Sequence, residues 1–348
     1  MFIKGINYDV GTYYTPGVCT RPVFEDHYIR KEIEVIRNEL HCECIRISGY
    51  DIERLVKTSE FALETGMQVW LSPVFIDATQ AQAAKYLHEC AVAAEKLREK
   101  YNHVVFVAGC EYSLYLHGFI KGDNTYKRIA NMFSLPGILL NSIGFRNKAY
   151  RKMNAYLEMT VKNIRSVFNG KVTYASGTWE KVDWTIFDIV SINHYRTSYN
   201  QSGYEKILRN YHVYGKPVAV TEFGCCTYEG AEKAGGGGWR IIEEKDGKQK
   251  IKDNYKRCEL TQSNYVIDLL KIFEQEDIYA AFVFTFINPV FEYDPDPAYD
   301  FDMASYGIVR PVKSTNHGDL HFIPKEAFYH LAEHYGVTKS NAHEINNL

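Results

Sequence analysis

The chain predicts a single (β/α)8 barrel, and three observations carry that prediction. Short apolar, β-rich runs recur eight times along the 348 residues. Helical patterns, with apolar residues at three- and four-residue intervals, separate most of those runs. The runs are continuously apolar, as in parallel strands covered on both faces. Length alone would allow two domains, but barrels of this kind often reach roughly 250 residues or more as one unit. No internal repeat or low-complexity linker divides the sequence, so residues 1–348 read as one barrel.

In chain order the strands are FIKGINY (2–8), CIRISG (44–49), QVWLSPVF (68–75), HVVFVAG (103–109), KVTYASG (171–177), FDIVSINHY (187–195), KPVAVTEFG (216–224) and YAAFVFTF (279–286). Each ends in a polar or glycine-containing stretch where a connection begins. Helical spacing runs over 26–40, 52–66, 79–101, 155–168 and 262–275. A last helix is expected over 324–336, with Pro324 suited to its first turn because that position has no helical N–H to lose. Three connections are longer than turns: 118–150 after the fourth strand, 225–260 after the seventh and 287–323 after the eighth. All follow strands, at the face where barrels place their sites, and loops of that length there serve as lids or walls. Within 225–260, the segment WRIIEEKDGKQKIK predicts a hairpin turning at Asp246-Gly247, and AGGGGW is expected to give hinge freedom around Trp239.

Composition narrows the function. The apolar fraction of 46% fills a large core without disulfides, and a net charge of −3 with scattered Lys and Arg argues against a nucleic-acid partner. No apolar run approaches the roughly 20 residues of a spanning helix, so no membrane partner is expected. The opening MFIKGINYDVG has no signal-peptide pattern, and the eight cysteines lack the density of a disulfide scaffold; both fit a cytoplasmic, reduced protein. The 27 tyrosines favour a ring-shaped, hydroxylated ligand, since Tyr offers a flat apolar face with a polar tip. No metal is expected: HCEC (41–44) has no zinc spacing, and Asp294, Asp296, Asp300 and Asp302 read as a solvated lid lacking the glycine and terminal glutamate of an EF-hand loop.

Two strand ends carry the chemistry. FVAGCEYS (106–113) delivers Glu111 and VAVTEFGC (218–225) delivers Glu222, three strands apart around the ring. Two carboxyls converging on one mouth suit the hydrolysis of a glycosidic bond with retention, in which one protonates the leaving oxygen and the other attacks the anomeric carbon. The sequence here resembles the clan A glycoside hydrolases. VTEFG is close to the clan's nucleophile motif, AGCE stands where its Asn-Glu pair ends strand four, Arg46 matches its strand-two arginine, and NHY (193–195) resembles its strand-six pair.

The resemblance implies Glu111 as acid/base, Glu222 as nucleophile, Arg46 steadying the nucleophile, Tyr195 donating to it, His194 lining the site, and no cofactor. Two departures stand out. Cys110 replaces the asparagine that binds a sugar hydroxyl. Strand eight ends FTFIN, with Phe284, Phe286 and Asn288 where the clan commonly has a tryptophan platform, so stacking falls to Phe286, Trp179 or Trp239. The expected function is a cofactor-independent retaining β-glycosidase acting on small glycosides or oligosaccharides. The rivals are a carbohydrate-binding barrel that has lost turnover and a metal-dependent barrel using His194 with Glu222.

Overall fold

A computed structural model describes residues 2–245, 247–312 and 322–345, with side chains described up to Gly336. Eight parallel strands close a ring in chain order: β1 (Ile3–Asp9), β2 (Cys44–Gly49), β3 (Gln68–Pro73), β4 (Val104–Cys110), β5 (Lys171–Gly177), β6 (Val190–Asn193), β7 (Val218–Phe223) and β8 (Ala280–Val283). This is a (β/α)8 barrel, and every predicted run coincides with a strand, β1 and β4 each continuing one residue beyond theirs. Helices 26–38, 52–64, 80–101, 147–165, 204–211, 259–275 and 326–345 surround it, while the β5–β6 crossover is reduced to a single 3-10 turn, Trp184–Ile186.

Two apolar layers follow from strand alternation. Cys44, Trp70, Val105, Val107, Ala175, Ala219, Ala280 and Phe282 fill the interior of the ring. Ile6, Ile45, Ile47, Val69, Phe106, Val172, Ile192 and Val220 pack outward against the helices. Arg46 and Asn7 stand out because they are buried polar residues inside apolar strands, and parallel register pairs them side by side on β1 and β2. Polar groups buried in this way must find partners, so their positions point to the site.

Three corrections concern the loops. Pro324 lies at the end of a short strand (Phe322–Pro324) paired with Val309–Pro311, and the last helix begins at Glu326. Within 225–260 the hairpin is present as Ile242–Lys245 against Lys248–Ile251; Asp246 of its turn lies outside the described residues, as do 313–321 of the eighth connection. The glycine run forms a 3-10 helix, Gly235–Ile241, pressed onto the barrel: a Cβ at Gly235 would lie 2.6 Å from the Arg196 carbonyl, and one at Gly238 would lie 2.8 Å from Cys226 Sγ. These glycines permit close approach, and the expected hinge is replaced by packing.

The acidic loop also differs from a solvated lid. Asp302 is fully buried between Lys325 Nζ at 3.1 Å and Arg257 at 2.6 Å, and Asp300 pairs with the same Arg257 at 2.8 Å. These two carboxylates tie the eighth connection to Lys325 and to Arg257, just before the helix that starts at Glu259, while Asp296 stays exposed.

Candidate active site

Glu222 leaves the end of β7 into a set of donors. Its Oε1 accepts from Arg46 at 2.7 Å and lies 3.7 Å from the Cys110 thiol, while its Oε2 accepts from the Tyr195 hydroxyl at 3.1 Å. Arg46 is itself fixed: its guanidinium also donates to Asn7 Oδ1 at 3.0 Å and to Ser72 Oγ at 3.2 Å. Asn7 in turn donates to the carbonyls of Thr221 and Phe282, at 2.9 and 3.1 Å. A guanidinium with this many fixed contacts holds its fork in one orientation toward the carboxylate.

Glu111 is set differently. It follows a bulge in β4 where Gly109 has φ +103° and a Cβ would lie 2.0 Å from the Tyr112 ring, a geometry only glycine admits. Glu111 itself is left-handed and opens a one-turn helix, Tyr112–Tyr115. The free N–H groups of that turn are met by the Tyr174 hydroxyl at 2.6 Å and by Glu180 at 2.9 Å. The Glu111 carboxyl is buried and accepts one described hydrogen bond, from Asn193 Nδ2 at 2.9 Å. Burial pushes it well above the usual carboxylate range, the charge of Glu222 pushes it further, and the Asn193 donor works against both.

Asn193 joins the two carboxyls. Its Nδ2 also lies 3.4 Å from Cys110 Sγ, the thiol that faces Glu222, and its Oδ1 accepts from Thr221 at 2.9 Å. A register shift between β6 and β7 sets Asn193 beside Glu222. Burial and the neighbouring Glu222 also push the Cys110 thiol well up, so it stands beside Glu222 as a neutral group and poor nucleophile.

Of the other predicted residues, Arg46, Cys110 and Tyr195 reach the glutamates and His194 does not. The His194 ring stacks on Tyr204 with centroids 3.9 Å apart, its Nε2 meets the Tyr204 carbonyl at 3.2 Å, and burial lowers its pKa to about 4. Alternation along a strand explains this: Asn193 and Tyr195 face inward, so the residue between them faces the helices. Phe286 is fully buried between Tyr8 and Phe322 and offers no face to a sugar. The aromatic that leaves β8 toward the mouth is Phe284, half-buried and edge-on to Tyr195 and Tyr306.

Asn288 is half-buried in the turn beyond β8, where its carbonyl accepts from Phe291, and no described hydrogen bond takes its side chain to either glutamate. Trp179, in the turn after β5, and Trp239, in the 3-10 helix Gly235–Ile241, are half-buried and pack against Phe133 and Tyr126 of the insertion after β4. Sequence reading missed Asn193, Asn7, Tyr14 and Tyr115. The asparagines were legible as polar residues in apolar runs, and Asn193 as the residue two before Tyr195. Tyr14 sits in a loop and Tyr115 ends the one-turn helix after Glu111, their rings edge-on at 5.9 Å; burial and then the Glu222 charge raise the Tyr14 phenol, while burial, Tyr14 and then Glu111 raise Tyr115.

No family model matches the chain, and no curated protein matches its sequence. Solved structures do. A GH113 β-1,4-mannanase is 15% identical, with 96% of this chain and 99% of that one covered at a TM-score of 0.59. The GH113 β-mannanase AaManA of Alicyclobacillus acidocaldarius, in complex with ManMIm, is 13% identical with 97% of each chain covered at 0.61. A calcium-binding mutant of Bacteroides uniformis β-glucuronidase 2 is 13% identical, with 95% of this chain but 34% of that one covered at 0.57. The likeness is one of fold. It spans the full length of the mannanases and about a third of the glucuronidase.

Proposed function

We propose that this chain is a retaining β-glycosidase working by double displacement without a cofactor. Glu222 attacks the anomeric carbon as Glu111 gives its proton to the departing oxygen, leaving a glycosyl ester on Glu222. Glu111 then takes a proton from water as that water attacks the same carbon and frees Glu222. The observation that carries the reading is the opposite setting of two carboxyls joined through Asn193 and Cys110: one is ion-paired to Arg46, the other buried and pushed toward its protonated form. The mannanase and glucuronidase names of the similar structures support a β-linked substrate. The walls after β4 and β7 favour small glycosides or short oligosaccharides, and cysteines scattered without the density of a disulfide scaffold support a cytoplasmic setting.

The test is a panel of aryl β-glycosides, mannosides and glucuronides included, assayed with wild type and Glu222→Ala. We expect the variant to lose about 10⁴-fold or more in kcat. A variant equal to wild type on a substrate that wild type hydrolyses would refute the assignment.

A second reading, a carbohydrate-binding barrel with weak or no turnover, is favoured by one observation: the thiol of Cys110 stands beside Glu222 and the Asn193 amide that holds Glu111. It predicts sugar binding by calorimetry without product. The metal-dependent alternative loses its ligand, because His194 is turned toward Tyr204.

A further inference from the structure

The insertion after β4 carries a dense run of exposed large apolar residues. Helix Leu135–Ser142 and the turn after it expose Leu135 at 86%, Phe145 at 72%, Ile143 at 68%, Leu139 at 61% and Ile138 at 53%. The opposite side of this hairpin is well anchored. Gly137 sits so close to the preceding helix that a Cβ would lie 2.0 Å from the Asn131 carbonyl. Tyr150 donates to Asn141 at 2.8 Å, and Arg146 donates to the Asn131 carbonyl at 3.0 Å. The apolar side chains are therefore displayed by a supported element, and a contiguous display of this kind on a soluble surface marks an interaction site.

Charge says what it meets. Residues 118–153 contain seven Lys and Arg, and their only acid is Asp123. Asp123 is already paired with Lys127 at 2.7 Å. Lys121, Lys148, Arg151 and Lys152 are exposed in the same stretch of chain as these apolar side chains, in a chain whose net charge is −3. Exposed apolar side chains and exposed cations presented by one insertion match the layered chemistry of an anionic bilayer, with acyl chains beneath and phosphates above. A second copy is a poorer fit, because a two-fold contact through this patch would set the same cations against each other.

We infer that the 118–150 insertion is a peripheral docking element for anionic lipid surfaces. The absence of a spanning segment bears only on insertion across the bilayer and leaves this mode open. The element borders the mouth of the barrel: Phe133 packs on Trp179 with ring centroids 5.0 Å apart, and Asn141 donates to the Trp179 carbonyl at 3.5 Å. Docking would hold the mouth at the membrane surface. The inference stands on the insertion alone and does not need the glycosidase reading.

The test is co-sedimentation of the full chain with vesicles of phosphatidylcholine plus phosphatidylglycerol, compared with phosphatidylcholine alone. Wild type should bind the anionic vesicles and release with rising salt. The triple variant Ile138→Ser/Leu139→Ser/Ile143→Ser and the double variant Lys148→Glu/Arg151→Glu should each lower the partition coefficient by about tenfold or more. All five positions are exposed, so circular dichroism should match wild type; as an independent readout, Leu139→Trp should shift its emission to the blue on adding anionic vesicles. Wild type remaining in the supernatant, binding indifferent to both variants, or a dimer in sedimentation velocity that the triple variant abolishes without any vesicle binding would each overturn the proposal.

Discussion

Glu222 and Glu111 leave equivalent ends of two barrel strands and meet opposite surroundings. On the β7 side, Arg46, Tyr195 and the Cys110 thiol approach the carboxylate, and Asn7 and Ser72 hold the arginine. On the β4 side the described donors reduce to Asn193, and burial dominates. One half of the mouth supplies a cation and donors; the other removes water. The difference teaches that two identical side chains acquire separate electrostatic settings from what their strands face, which makes each half breakable without the other.

The largest expected effect comes from fixing the β4 side in its neutral form. Glu111→Gln keeps the shape and the Asn193 contact but has no proton to give. We expect kcat/KM to fall by about 10² to 10⁴ on glycosides with poor leaving groups and less on nitrophenyl glycosides, whose leaving groups need little protonation. The same variant tests the burial account through stability. Because the folded-state pKa of Glu111 is raised, its stabilising contribution is present in full below the unfolded value of about 4.3 and is lost as pH rises through the folded value. Glu111→Gln should gain on wild type by about 1.4 kcal/mol for each pH unit across that window. Urea melts showing no gain on the alkaline side would mean that burial is not what sets Glu111 apart.

Breaking the β7 side should cost stability in the other sense. Arg46→Met removes the cation while Glu222 stays largely buried, with side-chain exposure of 14%, and leaves Asn7 and Ser72 without their guanidinium partner. We expect a loss of about 3 kcal/mol, most of it recovered in Arg46→Met/Glu222→Gln, where no charge is left to neutralise. A single variant as stable as wild type would show that the donor set is not needed to hold the carboxylate.

The barrel was legible because parallel strands buried on both faces read as unbroken apolar runs, and the site because Arg46, Glu111 and Glu222 interrupt or end those runs. Direction was harder to read. In NHY strict alternation turns Asn193 and Tyr195 inward and His194 outward, and a register shift in the pairing with β7, which no composition signals, sets Asn193 beside Glu222. Phe284 and Phe286 are equivalent in the sequence; which of them faces the mouth is decided by how β8 ends against Tyr306 and Tyr8. Asp302 looked like surface charge because its partners, Arg257 and Lys325, lie 45 and 23 residues away. Long-range pairing of this kind leaves no local trace.

The smallest effect, and the sharpest comparison, lies at Asn193, which touches the β4 carboxyl and the thiol that faces the β7 carboxyl. Its donor lowers the Glu111 pKa against burial and Glu222. In Asn193→Ala that opposing influence is gone, so Glu111 keeps its proton to higher pH and the alkaline limb of kcat/KM should move upward. Thr221 loses an acceptor at the same time, at a cost of about 1 kcal/mol. Asn193→Asp should move the limb further in the same direction, because a carboxylate there replaces a donor with a like charge. A structural spacer would lower the rate at every pH and leave the limb in place; a group that sets the acid's proton affinity must shift it, and a pH profile of both variants against wild type distinguishes the two.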